Sequence, residues 1–175
     1  MAKWGMEVQR ALKGQYGAGL AMLRECIQLC PDDLWSSGVH PRTFWRIAYH
    51  ALFYTHLYLM PTEKAFVAWE KHHDQARILW DDDEEGVPPQ ETTYTQKELL
   101  EYLDFIHTSM PNWVDALDLN APTSGFSWYR IPKLDHQFVN LRHLGIHVGQ
   151  LQELLYAHGI EPGWVGIDKK FKPHA

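Results

Sequence analysis

Arg142-His143-Leu144-Gly145-Ile146-His147-Val148-Gly149-Gln150 sets two imidazoles four residues apart in the middle of the chain's last long helical pattern. On a wheel of about 100° per residue, His136, His143, His147 and Leu154 fall within roughly 40° of one another, beside Leu144, Leu151, Val139 and Asn140. Arg142, Gly145, Gly149, Gln152 and Glu153 take the opposite side. The imidazoles therefore occupy the stripe where a helix ordinarily buries leucine. Side chains at i and i+4 project the same way one turn apart, so both rings reach one cation beside the helix. A single buried histidine is ordinarily a core residue with a satisfied hydrogen bond. Several together need partners for two nitrogens each in a small space, and a shared cation meets much of that demand.

Three more helical patterns precede this one. Leu12, Tyr16, Leu20, Leu23, Ile27 and Cys30 recur at steps of three and four over about residues 6 to 30, and Pro31 stops the run. Residues 32 to 38 read as a turn. Pro41 suits the first turn of a second helix, Arg42 to Met60, apolar nearly all round and expected to be deeply buried. Thr95 and Glu98 form a capping box for a third helix whose stripe, Leu99, Leu103, Ile106, Met110, Val114 and Leu117, passes through Pro111, where a kink or a restart is expected. Between them, residues 61 to 94 are expected to hold a short helix over Thr62 to Gln75, then the acidic run Asp81 to Glu85, read as a solvated surface with no ligand. A second long loop, Leu119 to Tyr129, leads into the fourth helix near Pro132. No strand pattern is convincing. Four amphipathic helices with two long connections predict an all-α, four-helix bundle forming a single domain over residues 1 to 175.

Composition narrows the function. A formal charge of −6 without a Lys or Arg cluster disfavours nucleic acid, and no apolar stretch reaches membrane-spanning length. The start, Met1 to Met6, lacks the basic and apolar regions of a secretion signal, so a cytoplasmic location is expected. Cys26 and Cys30, four apart on one helix, are poorly placed for a disulfide and read as buried thiols. With eight Trp and eight Tyr, large rings must fill the interior or line a pocket; Trp45, Tyr49, Phe53, Tyr54 and Phe126 to Tyr129 are the candidates, with packing the simpler reading for most.

Among eleven histidines, position selects the third ligand. His50 and His56 on the second helix are about 120° apart and cannot both face one site. His50 shares its side with Ile47, Phe53, Tyr54 and Leu57, so it is the inward one; His56 reads as packing or surface. His50, His143 and His147 would hold a cation with a position left for water or substrate. His136 lies two turns below His143 and is expected, with Asn140 and Tyr54, to line a pocket or support the site. Gln150, three after His147, suits a hydrogen bond to a ligand ring or bound water.

With His50 on a buried second helix and Asn140-Leu141-Arg142-His143-Leu144-Gly145-Ile146-His147-Val148-Gly149-Gln150 on the fourth, the chain resembles the DinB/YfiT-like family over about residues 6 to 158. The resemblance implies a four-helix bundle, a homodimer, and a divalent metal held by His50, His143 and His147. It also implies a small-molecule substrate and metal-dependent chemistry, hydrolysis or transfer with a low-molecular-weight thiol. Such an ion would lower the pKa of bound water or ionise a substrate thiol. Imidazole suits several metals, with Zn first and Ni or Fe as alternatives. No Glu lies inside the His-x-x-x-His pair, which disfavours a zinc peptidase of the His-Glu-x-x-His type. A general base would come from elsewhere, with Asp104 and Glu101 as guesses. The competing reading is a non-catalytic metal-binding or small-molecule-binding bundle, a sensor or carrier.

Overall fold

A computed structural model of the chain describes residues 3–80 and 93–172, whose regular elements are all helical, with no strand among the described residues. The elements are α1 (Lys3–Leu29), the single turn α2 (Asp32–Trp35), α3 (Phe44–Tyr58), α4 (Gln96–Ala116) and α5 (Lys133–Ala157), with short 3-10 turns at Glu63–Ala65, Asp74–Arg77 and Lys169–Phe171. The four long helices coincide with the four periodic segments. α3 packs along α5, α1 along both α4 and α5, and α3 also along α4.

The interior forms where the apolar stripes meet. Leu20, Leu23 and Ile27 from α1, Leu52 from α3, Leu99, Leu103 and Ile106 from α4, and Leu151 and Leu155 from α5 are all inaccessible to solvent. Each such aliphatic side chain contributes about 1.5–3 kcal/mol when taken out of water. α3 is central, as its composition foretold: only Tyr54 of its residues is left half-buried. At Gly19 the α1 backbone comes so close to α5 that an added Cβ would lie 2.7 Å from Leu144 Cδ2. That approach brings the histidine-bearing helix tightly against its neighbour.

Two local expectations change, and at Pro111 the restart is excluded. The segment 32 to 38, read as a turn, begins with a helical turn that buries Leu34 and Trp35. The short helix expected over Thr62 to Gln75 is absent; two 3-10 turns flank irregular chain there, and Phe66 and Trp69 dock on the core as separate anchors rather than as one helical stripe. At Pro111, α4 continues as one helix to Ala116. The proline removes one backbone donor, but Tyr102, Leu103 and Ile106 before it and Val114 after it are buried, so both halves stay packed on the core. The capping box forms as expected: Thr95 Oγ1 accepts from the Glu98 N–H and the Glu98 carboxylate accepts from the Thr95 N–H. The acidic run 81 to 85 lies outside the described residues. No helix among them is long and apolar enough to cross a membrane.

Candidate metal centre

Close packing of α3 on α5 brings His50, His143 and His147 together, with one ligating nitrogen of each within 4.8 Å of the others. Nε2 of His143 lies 3.0 Å from Nε2 of His50 and 3.1 Å from Nε2 of His147. His50 and His147 are buried and His143 is half-buried. Three Nε2 atoms thus point at one small volume between two helices.

Proton positions follow from the other ring nitrogens. His50 Nδ1 is 2.5 Å from the Arg77 carbonyl oxygen, which can only accept, so Nδ1 carries the hydrogen and Nε2 a lone pair. His147 Nδ1–H likewise donates to Gln150 Oε1 at 2.8 Å, leaving its Nε2 a lone pair. His143 Nδ1 has no partner among the described residues; ring contacts with Tyr54 and Tyr58, at 5.4 and 6.4 Å between centroids, orient it instead. At most one proton, on His143, can serve three converging Nε2 atoms. A cation accepts all three lone pairs.

Electrostatics favour the same state. Burial, reinforced by the His147 ring, holds the His50 pKa down to about 2, and burial with the same neighbour holds His143 at about 4. His147 is lowered by burial, opposed in part by its bond to Gln150. The Arg42 guanidinium further disfavours protonation of His50 and His147. All three rings are neutral at pH 7, the form in which imidazole binds metals. The donor set also fits in size. Nitrogens about 2.0–2.1 Å from a tetrahedral Zn²⁺ stand about 3.4 Å apart, so His143 needs to part from each of the other two rings by only a few tenths of an ångström.

The supporting residues divide. Gln150 touches the His147 ring, as its spacing suggested. Tyr54 packs on His50 at 4.6 Å and shares with Phe53, Tyr58, Phe66, Arg77 and Trp128 a cavity of about 630 Å³. Burial raises the Tyr54 pKa, with the nearby Arg77 guanidinium opposing, so the phenol keeps its proton at neutral pH. His136 sits elsewhere, enclosed by Tyr58, Phe126 and Tyr129 at 4.7, 4.9 and 5.2 Å, with neither nitrogen partnered among the described residues. Asn140 ties helices together, donating from Nδ2 to the Thr55 carbonyl at 3.2 Å.

The two guessed carboxylates are engaged at the surface: Asp104 pairs with Arg24, and Glu101 with Lys71 at 2.8 Å. Neither belongs to the histidine cluster. Of the aromatic strip, Trp45, Tyr49 and Phe126 are core, while Phe53, Tyr54 and Trp128 border the cavity. His56 is 2% exposed and packs against α4. Cys26 and Cys30 are free and buried.

Two neighbours were not foreseen. The Arg77 carbonyl that fixes His50 carries no side-chain signature, since every residue has one. Trp80, perpendicular to the His50 ring at 6.1 Å between centroids, stands at the end of a described segment whose path composition did not specify. Comparison with known proteins finds no family model, no curated protein and no solved structure that matches this chain.

Proposed function

We propose that the chain is a four-helix bundle of the DinB/YfiT-like kind in which His50, His143 and His147 hold a divalent cation, Zn before Ni or Fe. It serves as a metal-dependent enzyme for a small-molecule substrate, a hydrolase or a thiol-dependent transferase. The convergence of three Nε2 atoms, two of them made lone-pair donors by bonds at Nδ1, carries this reading. Such an ion supplies Lewis acidity, lowering the pKa of a bound water or thiol.

The chain's residues do the rest. The Arg77 carbonyl and Gln150 fix the His50 and His147 rings with Nε2 inward. Tyr54 holds a proton beside the cluster, available as a hydrogen-bond donor to a substrate in the adjoining cavity. Aromatic side chains wall that cavity, and the Arg77 guanidinium and Glu63 carboxylate offer it one charge of each sign. The half-buried state of His143 favours an accessible position over a fully enclosed structural ion. The proposal includes a homodimer, as the resemblance implies, and a cytoplasmic location, which accords with two unpaired thiols.

The direct test is metal analysis of protein purified without an affinity tag, wild type against His147→Ala. Stoichiometric metal is expected in the wild type and a several-fold fall in the variant, with the helical circular dichroism spectrum retained. A metal-free wild type, or equal content in both, would refute the site. A crystal structure of the loaded protein with a fourth protein ligand enclosing the ion would refute the catalytic part and assign a structural centre.

A further inference from the structure

His56, six residues after His50, faces α4 rather than α5. Its ring stacks on Trp113 at 4.8 Å and 15° and meets Phe105 edge-on at 5.4 Å. Nδ1 lies 3.0 Å from the Tyr102 hydroxyl. That phenol is fully buried and makes no other hydrogen bond among the described residues, so its proton goes to Nδ1. The hydrogen of His56 is therefore on Nε2, and Nε2 has no protein partner among the described residues. His56 also lines a cavity of about 630 Å³ walled by Met60, Val67, Trp69, Phe105 and Trp113, and Tyr102 does not. Nε2, unlike the enclosed nitrogens of His136, keeps some contact with open space, and this cavity is the one His56 lines.

The rim is acidic. Glu70 and Glu101 border the same cavity. The chain already places one ammonium there: Lys71 Nζ lies 5.7 Å from the Trp69 ring centroid and 2.8 Å from the Glu101 carboxylate. An aromatic wall with carboxylates at its edge favours a cationic ligand through ring faces and charge alike. A volume of this size suits a single-ring molecule with a short side chain. An N–H with no protein partner that opens on the cavity suits an acceptor on that ring.

We propose that this cavity binds a small aromatic ammonium compound bearing a ring hydroxyl. Its ring lies against Trp113 and Phe105, its oxygen accepts from His56 Nε2–H, and its ammonium faces Glu70 and Glu101. The site is on a different side of α3 from the histidine cluster, and neither depends on the other.

Titration of ¹⁵N-labelled protein with tyramine, followed through the tryptophan indole N–H signals, tests it. Tyramine is expected to shift Trp69 and Trp113 while leaving Trp80, beside His50, unmoved. Its anionic counterpart 3-(4-hydroxyphenyl)propionate is expected to bind about tenfold more weakly or worse, and phenethylamine, which lacks the hydroxyl, several-fold more weakly. Glu101→Gln should weaken tyramine several-fold and leave the uncharged p-cresol unchanged, and Phe105→Ala, at a half-exposed wall position, should weaken all four compounds. His50→Ala should change none of these affinities. Equal affinity for tyramine and the carboxylate, shifts located away from Trp69 and Trp113, or no shift up to about 10 mM tyramine would overturn the proposal.

Discussion

His147 Nδ1–H donating to Gln150 Oε1 is a bond of one helical turn that decides what the other side of the ring can do. With the proton fixed at Nδ1, the Nε2 lone pair is committed to the space shared with His50 and His143. Replacing Gln150 by Ala frees the tautomer and the ring angle while leaving the three imidazoles in place. The expected result is a metal affinity about 10 to 100 times weaker, measured by competition with a chromophoric chelator, with little change in helicity. An unchanged affinity would mean that packing alone orients the ring. The same logic applies to His50, but its partner is the Arg77 main-chain oxygen, which side-chain substitution cannot remove.

At the scale of the element, α5 combines a buried histidine stripe with an outer face carrying two glycines. An added Cβ at Gly145 or Gly149 would have no heavy atom within 4 Å, whereas at Gly19 on α1 it would press on Leu144. Glycine in a helix interior costs about 1 kcal/mol relative to alanine. Gly145→Ala is therefore expected to stabilise the monomer by about that amount, raising the thermal midpoint by about 2–4 °C in calorimetry. A fall instead would show that another backbone covers this face in solution. Gly19→Ala is expected to gain less, because Leu144 must shift to admit the methyl group.

For the molecule as a whole, buried neutral histidines tie stability to pH. Burial holds both His56 and His136 at about 4, against the ordinary value of about 6.5 that unfolding restores. Between those values the unfolded chain binds more protons, so stability is full above about pH 6.5 and declines as pH falls toward 4. The slope is about 1.4 kcal/mol per pH unit for each ring, and about 2.7 for the two together. In urea unfolding of metal-free protein these two rings are expected to cost about 2–3 kcal/mol of stability between pH 6 and pH 5, a large part of what a domain this size possesses, and His50 and His143, held low in the same way, add to the loss. A flat profile over that interval would contradict the neutral, buried state of these rings.

Periodicity alone was enough to locate four long helices, the capping box at Thr95, the depth of α3 and the imidazole pair of α5, because these depend on side-chain spacing along a single helix. The choice of His50 over His56 was also legible, since two residues about 120° apart on one helix cannot face the same neighbour. The irregular path of residues 62 to 75 was not, because docking of Phe66 and Trp69 outweighed a weak local helical pattern. Nor were the Arg77 carbonyl, the aromatic enclosure of His136 or the cavity beside His56. These arise where separate segments meet, through main-chain groups that composition does not distinguish and through distances that only packing sets. The residue types available for chemistry were written in the chain; which nitrogens face one another, and which are left facing open space, was decided by how the helices pack.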